Sequence, residues 1–169
     1  MNKIVLLLIT LFCILNLQAQ ETEAETTTYY LIRHAEKVRS NAKNKNPNLT
    51  EKGVDRAINW SKTFEHINFD YIYSTNYNRT VQTALPTAKR KNLEIRFYDP
   101  SDLFNEEFKA LTKGKTVLIV GHSNTTPLFI NKILGKEKYL EIKETNYSNL
   151  YIVSIANNQI SDVLMQIKY

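Results

Sequence analysis

Two histidines and two arginines follow apolar stretches of this sequence, and together they could handle a phosphate group. Arg33 and His34 follow the strand-like stretch TYYLI, Thr28–Ile32, Arg79 comes after FDYIYS, and His122 follows TVLIVG. Guanidinium groups bind phosphate oxygens through paired hydrogen bonds, and a neutral imidazole nitrogen is a nucleophile toward phosphorus. These residue types predict phosphoryl transfer through a phosphohistidine on His34.

The neighbouring residues are consistent with this chemistry. The positive charges of Arg33 and Arg79 disfavour protonation of His34 and so keep it nucleophilic. His122 is expected to donate a hydrogen bond to the equatorial phosphoryl oxygens, where transition-state charge spreads. Ser123 is placed near the start of the next helix, where backbone N–H groups favour an anion, and is expected in the phosphate site. No cofactor is expected, and no thiolate set or acidic cluster suggests a metal.

Alternating strand-like and helix-like segments must position these residues. The order predicts an α/β fold, a single three-layer α/β/α domain with a mostly parallel sheet and an antiparallel C-terminal hairpin turning at Asn157–Asn158. All carboxyl ends of parallel strands lie at one edge of a sheet, where ligands bind. Pro86 interrupts the helical pattern of residues 78–91 and is expected to kink that helix or end it near Leu85.

The N-terminal segment is distinct from the rest of the chain. Lys3, the apolar run Ile4–Leu17 and the small residue Ala19 form the three-part pattern of a signal peptide over residues 1–19. Residues 20–27 form a polar, acidic leader that is expected to be disordered, and the catalytic domain is expected over 28–169. The pattern favours cleavage and export to a bacterial periplasm or the exterior, with no stable membrane insertion. Retention as a membrane anchor is the less favoured alternative.

Composition narrows the class of partner. The 169 residues suit one domain with a real core, and the net charge is +5 without a dense Lys/Arg block. This balance tolerates an anionic ligand but does not favour nucleic-acid binding. The expected partner is a small phosphorylated substrate. Nothing in the sequence indicates an oligomeric state.

Four motifs in order carry a family resemblance. LIRHAEK, LTEKGVDRA, STNYNRTVQTA and VGHSNTTP span Leu31–Pro127, and they resemble the motifs of the histidine phosphatase superfamily, the phosphoglycerate-mutase-like group. The resemblance implies His34 as the nucleophile, with Arg33, Arg79 and His122 forming the phosphate pocket. Ala35 departs from the pattern, since it stands where the family often has Gly.

The residue that protonates the leaving oxygen is less evident from the sequence. Family members commonly place an acidic residue after the third strand, and RFYDPSDLF offers Asp99 and Asp102 there. Asp99 directly follows the strand and is the preferred candidate, whereas Asp102 also suits a helix N-cap. Glu36 is a further candidate because it is two residues from His34.

The sequence therefore favours an exported, metal-independent phosphomonoesterase that acts through a phosphohistidine on His34. Two alternatives remain open: a phosphate- or polyanion-binding module without catalysis, and a protein phosphohistidine phosphatase. A mutase is less favoured, because the mutases of the family that this sequence resembles are larger, carry additional substrate-binding insertions and act on cytosolic metabolites.

Overall fold

The computed structural model describes residues 25–168, in which six strands form one sheet. The strands are β1 Thr27–Arg33, β2 Tyr71–Ser74, β3 Ile95–Phe97, β4 Thr116–Gly121, β5 Asn149–Ala156 and β6 Gln159–Gln166. Their order across the sheet is β3-β2-β4-β1-β5-β6. The first four strands pair in parallel, while β5 is antiparallel to both β1 and β6. The predicted mixed sheet with a C-terminal hairpin is therefore confirmed.

Four helices connect the strands of this described part of the chain: α1 Glu51–Thr63, α2 Asn78–Lys91, α3 Glu106–Thr112 and α4 Thr125–Leu134. Thr50 caps α1, since its hydroxyl accepts a hydrogen bond from the Gly53 N–H at 3.1 Å. Within residues 25–168, no helix is long and apolar enough to cross a bilayer.

Alternation along the central strands divides the core between the two faces of the sheet. On one face, Ile32 and Leu118 pack with Trp60 of α1 and Ala84 of α2. On the other face, the remaining inward residues pack with side chains of α3 and α4; this cluster includes Leu31, Val117, Ile119, Phe108, Phe129 and Ile130. A sheet buried on both faces requires apolar residues at successive positions, which explains runs such as TVLIV. The three-layer prediction is confirmed.

Of the two effects expected of Pro86, an end of helix α2 near Leu85 is excluded. The helix continues past Pro86 to Lys91 and is closed by Asn92 in the left-handed conformation. Proline removes one N–H from the helix, at a cost of about 3 kcal/mol. Buried α2 side chains on both sides of the proline, among them Ala84 and Ala88, pack in the core and offset this cost.

The two ends of the chain compare differently with the sequence predictions. The signal peptide and residues 20–24 of the leader lie outside the described residues, and β1 begins at Thr27 rather than Thr28. The C-terminal turn is confirmed, because Asn157 and Asn158 connect β5 to β6 with φ angles of 50° and 60°. Two consecutive positive φ angles match the twist of a tight hairpin, and Asn tolerates them well.

Candidate active site

A cavity of about 320 Å³ opens where β1 and β4 end side by side. Four of the residues that the sequence selected, His34, Arg79, His122 and Ser123, line it. The other lining residues are Lys37, Tyr77, Pro100, Asn124, Thr125 and Glu144. Parallel pairing of β1 and β4 produces this convergence, because it places Arg33 opposite Gly121 and so sets His34 beside the start of the VGHSNTTP motif.

His34 is fixed in one orientation, and one of its ring nitrogens has no hydrogen-bond partner within residues 25–168. Its backbone N–H donates to the Gly121 carbonyl at 2.9 Å, and its side chain is only 3% exposed. Nδ1 lies 2.7 Å from the Ala35 carbonyl oxygen, which can only accept a hydrogen bond. The proton of the neutral ring is therefore on Nδ1, and Nε2 carries the lone pair that a nucleophile needs.

The surroundings of His34 keep it neutral. Burial is the main cause that lowers its pKa to about 3, and the charges of Arg33, His122 and Arg79 lower it further. The hydrogen bond to Ala35 opposes this shift without reversing it. Nε2 is thus unprotonated throughout the neutral pH range.

His122 lies next to His34, with 5.5 Å between the ring centroids. Its Nε2 is 2.9 Å from the hydroxyl of Thr75, the residue that follows β2. Burial, followed by the charges of Arg79, Lys37 and Arg33, lowers the pKa of His122 to about 4. Both histidines are therefore neutral at pH 7.

The guanidinium of Arg33 is bound to other groups of the protein rather than presented to the cavity. Nη1 lies 2.9, 3.2 and 3.1 Å from the carbonyl oxygens of Lys143, Glu144 and Asn146. Its guanidinium carbon is 4.5 Å from the ring centroid of Tyr147, and the residue is 2% exposed. Arg33 contributes positive potential near His34 and also anchors the loop that precedes β5.

Arg79 is more available to a ligand. It lies in the first turn of α2, 4.4 Å above the ring of Tyr77, and one terminal nitrogen is 3.4 Å from the Lys45 carbonyl oxygen. A cation at a helix N-terminus opposes the helix dipole, so this position is better explained by a bound anion. The Nε atoms of Arg33 and Arg79 are buried, and within residues 25–168 neither has a hydrogen-bond partner. Unpaired buried donors are costly, and an anion in the cavity that Arg79 lines could satisfy the Nε of Arg79.

The residues after His34 are held by two helices. The Ala35 N–H donates to the Thr83 hydroxyl at 2.9 Å, and that hydroxyl donates to the Arg79 carbonyl at 2.7 Å. The Thr50 N–H donates to the Glu36 carbonyl oxygen at 2.8 Å. A Cβ at Gly53 would lie 2.2 Å from the same oxygen, so only glycine allows α1 to pack this closely. The LTEKG and RTVQTA motifs thus support the backbone that orients His34.

The start of α4 satisfies several of its own hydrogen bonds. Asn124 Oδ1 accepts from the Thr125 N–H at 2.9 Å, and the His122 carbonyl accepts from the Thr126 N–H at 3.1 Å. The Ser123 hydroxyl donates to Glu141 at 3.0 Å. Ser123 therefore lies in the cavity wall as expected, while its hydroxyl is engaged with a neighbouring loop.

None of the three acids considered from the sequence lines the cavity. Asp99 is fully exposed, accepts hydrogen bonds from the Ser101 hydroxyl and N–H, and has a pKa lowered by them. Asp102 accepts from the Asn105 side-chain amide at 2.8 Å. Glu36 forms a two-point ion pair with Arg56, both contacts being 2.8 Å. Asp99 and Asp102 line a different cavity next to α3.

The structure adds cavity residues that the sequence argument did not assign. Lys37 is half-buried there, and burial, followed by the charges of Arg79 and Arg39, lowers its pKa. Glu144 is the one carboxylate among the described lining residues, and it is ion-paired with Arg33 and Arg39. The hydrogen bond from Arg39 is the main cause that lowers the pKa of Glu144. Lys37 could have been found from its place three residues after His34, whereas nothing local marks Glu144.

The structure therefore places two histidines and two arginines at the carboxyl edge of the parallel strands of an α/β sheet. Residues 29–100 match the model of the histidine phosphatase superfamily (branch 1). The resemblance to this superfamily that the motifs indicate is therefore confirmed. A search of curated proteins found no match.

Solved structures with this fold include phosphatases and a mutase. The protein histidine phosphatase SixA in complex with tungstate has a TM-score of 0.65 and 15% identity, with 82% of this chain and 96% of that chain covered. Phosphoglycerate mutase from Bacillus anthracis has a TM-score of 0.61 and 17% identity, with 88% and 95% covered. A phosphoserine phosphatase variant from Entamoeba histolytica, bound to phosphoserine, has a TM-score of 0.60 and 16% identity, with 83% and 95% covered. These similarities establish the fold.

Proposed function

We propose that the protein is a phosphomonoesterase that works through a phosphohistidine on His34. The observation that carries this proposal is the state of His34: it is neutral, its Nδ1 is bound to the Ala35 carbonyl, and its Nε2 is free. Arg79 and Lys37 share its cavity and supply the positive potential and donors that a phosphoryl group needs, and His122 lies in the same cavity. The superfamily match and the phosphatases among the similar folds support the same reaction class.

The proposed reaction has two displacements at phosphorus. The Nε2 lone pair of His34 attacks phosphorus, the P–O bond to the leaving group breaks, and the leaving oxygen takes up a proton from solvent. Water then attacks the phosphohistidine, the N–P bond breaks, and inorganic phosphate leaves as His34 regains its lone pair. Held in place by Ala35, the ring loses no orientational freedom when it attacks.

The decisive experiment is trapping of the intermediate. The purified chain is mixed with a radiolabelled aryl phosphate and quenched, and acid-labile, base-stable label is expected on the protein. The same experiment with His34→Ala should give no label and no phosphate release. His66→Ala is the matched control, because His66 is exposed and lies outside the cavity. Phosphate release by His34→Ala at the wild-type rate would refute the proposal.

A protein phosphohistidine phosphatase is the second candidate, favoured by the ionised state of the cavity carboxylate. Glu144 is paired with two arginines and is a poor proton donor at pH 7. An alkyl phosphate releases an alkoxide that needs a proton, whereas phosphohistidine can release neutral imidazole when its other nitrogen is protonated. Comparing turnover of a phosphohistidine peptide with that of phosphoserine separates the two: a preference of more than about 100-fold, about 2.7 kcal/mol, would favour the second candidate.

A binding module without catalysis is the remaining alternative. It would bind tungstate or phosphate but release no phosphate from aryl, alkyl or histidine phosphates. This outcome would contradict the enzymatic proposal while leaving the anion site intact.

Export is part of the proposal and depends on residues 1–19. The three-part segment around Lys3, Ile4–Leu17 and Ala19 supports it. After expression in a bacterial host, the exported chain should begin at Gln20 by mass spectrometry. Ala19→Arg should block that cleavage. If the protein without this substitution remains full-length in the cytoplasm, export is contradicted.

A further inference from the structure

A chain of three hydrogen-bonded side chains lies behind His122. Its Nε2 is 2.9 Å from Thr75 Oγ1, which is 3.0 Å from Thr80 Oγ1. Thr80 Oγ1 is in turn 2.8 Å from the Thr75 carbonyl oxygen and 2.9 Å from the Tyr77 carbonyl oxygen. Thr75 and Thr80 are fully buried, so these contacts are shielded from water. None of these distances involves the nucleophile.

The two carbonyl oxygens determine where each proton lies. They can only accept, so the single proton of the Thr80 hydroxyl is directed to them. The hydrogen bond between the two hydroxyls must therefore use the proton of Thr75, so the Thr75 hydroxyl donates to the Thr80 oxygen. With both hydroxyl protons used, the contact between Thr75 and His122 must be made by a proton on His122 Nε2.

This arrangement leaves Nδ1 of the neutral His122 ring without a proton. It is the ring nitrogen left for a ligand, since no residue in 25–168 forms a hydrogen bond to it. A bare nitrogen accepts hydrogen bonds and repels the oxygens of an anion, so it must first be protonated to donate to a phosphoryl oxygen.

The charges that face His122 explain why its imidazole is neutral and why a bound anion would favour its protonation. Arg79 of α2, Lys37 and Arg33 on the β1 side disfavour its protonation, and neutral His34 lies alongside. Tyr77 contacts the ring edge, with the centroids 5.2 Å apart, and Glu144 lies across the cavity. A dianion beside the ring would reverse the local balance and favour the imidazolium.

We propose that Thr75 and Thr80 are positioning residues that keep the His122 proton on Nε2, so that oxyanion binding is accompanied by proton uptake at Nδ1. The proton comes from solvent or from a monoanionic substrate. The inference rests on the anion site of the proposed function, but it does not depend on turnover.

Nitrogen NMR of the empty, histidine-labelled protein tests the tautomer directly. Long-range proton–nitrogen correlations at pH 7 should show the His122 proton on Nε2. In Thr75→Val a methyl group replaces the hydroxyl acceptor, so the proton should move largely to Nδ1, whereas Thr75→Ser should retain the wild-type pattern. Thr87→Val is the matched control, because Thr87 is a buried α2 threonine whose hydroxyl has no partner among the described residues. A wild-type proton on Nδ1, or no change in Thr75→Val, would overturn the proposal.

Calorimetry with tungstate tests the coupling. Tungstate is fully ionised at pH 7, so titrations in two buffers of different ionisation enthalpy count the protons that the protein takes up. About one proton is expected for the wild type, Thr75→Ser and Thr87→Val, and less than half of that for Thr75→Val. Equal uptake in all four proteins, or none in the wild type, would overturn the coupling.

The two proposals fail in distinguishable ways. Absence of tungstate binding would refute the oxyanion site and, with it, both proposals. Tungstate binding with normal proton uptake but no turnover of any phosphate would refute only the enzymatic function. Normal turnover without proton uptake would refute only the role of Thr75 and Thr80.

Discussion

The segments that follow β1 and β3 carry chemistry that looks equally promising in the sequence, but they have different surroundings in the structure. After β1, His34 is 3% exposed and bonded at its ring and its backbone. After β3, Asp99 is exposed and bonded only within its own turn, to Ser101. A polar residue at a strand end is thus a candidate only if the sheet order brings that strand to the site.

The order of strands gives the physical reason. Strands β1 and β4 are central neighbours, whereas β3 is the edge strand and lies three steps from β1. Adjacent strands are about 4.8 Å apart, so the end of β3 is about 14 Å from the end of β1 across the sheet. The loop after β3 extends toward the site, but the Asp99 carboxylate is turned to Ser101 outside the cavity. Of that segment, Pro100 reaches the cavity wall.

The sharpest way to test the contrast is to remove the β1 nucleophile. His34→Ala should lower kcat for an aryl phosphate by roughly 1,000-fold or more, because the covalent route is lost. Steady-state phosphate release measures it, with His66→Ala unchanged. A loss of less than about tenfold would mean that His34 is not the nucleophile and that the segment after β1 does not differ in function from the segment after β3.

A smaller loss is expected from the arginine that faces the cavity. Arg79→Lys keeps the charge but removes the planar fork, so kcat/KM should fall by roughly 10- to 100-fold. Arg96→Lys is the control on the β3 side, since Arg96 is exposed and stacks on Tyr71 at 4.0 Å. Equal effects of the two substitutions would remove the distinction between the two regions.

Replacing the acid after β3 should matter least among the substitutions. Asp99→Asn is expected to change kcat by less than about threefold, because the side chain is exposed and outside the cavity. Glu144→Gln provides the comparison, and its effect on kcat should be the larger. A loss of more than about 100-fold in Asp99→Asn would instead restore Asp99 as the proton donor and require the 98–102 segment to move.

Changes of pH between 5 and 8 should have an even smaller effect, because they should not alter the protonation state of His34. With a pKa of about 3, His34 is neutral at pH 5, whereas an ordinary histidine with a pKa near 6.5 would be about 30-fold depleted in its neutral form. Its depressed pKa means that activity is retained above about pH 4 and is lost as pH falls below that. The His34 ring resonances should therefore not titrate between pH 5 and 8. An inflection near pH 6.5 would contradict the burial that this state depends on.

The same depressed pKa affects stability with a defined sign. The unfolded chain binds a proton at His34 below about pH 6.5, while the folded chain does not until about pH 3, so the free energy of unfolding decreases as pH falls through this window. Denaturant titrations at pH 4.5 and 7 measure this. His34→Asn should show a shallower dependence by about one proton, and an identical dependence would mean that His34 is solvated.

The sequence predicts much of this fold because its signals are local. The helix bounds 125–134 and the turn at Asn157–Asn158 depend on capping, periodicity and positive φ, all of which neighbouring residues determine. Pro86 does not end α2 near Leu85 because its local effect is outweighed by core packing of the helix, which only the tertiary structure reveals. Val54 is a similar case: it follows the apolar spacing of α1, yet it is 46% exposed.

The residues of the candidate site also differ in whether the local sequence could predict them. His34, Arg79, His122 and Ser123 could be selected from their places after strands, and they line one cavity. Glu144 could not, because it lies in a long connection before β5, and only the fold of that loop over Arg33 brings it to the cavity. The acid after β3 depended on the strand order, which the sequence does not encode locally.

The hydrogen bonds from Arg33 to the 143–146 loop have a consequence for how the sequence of this loop could change. The contacts of Nη1 are to main-chain oxygens, so they hold the path of the loop whatever side chains residues 143 and 144 carry. New side chains can therefore be tried at the rim of the cavity without releasing the buried arginine next to the nucleophile. Libraries randomised at Lys143 and Glu144 should give folded proteins with altered substrate preference, whereas changes at Arg33 should release the loop itself.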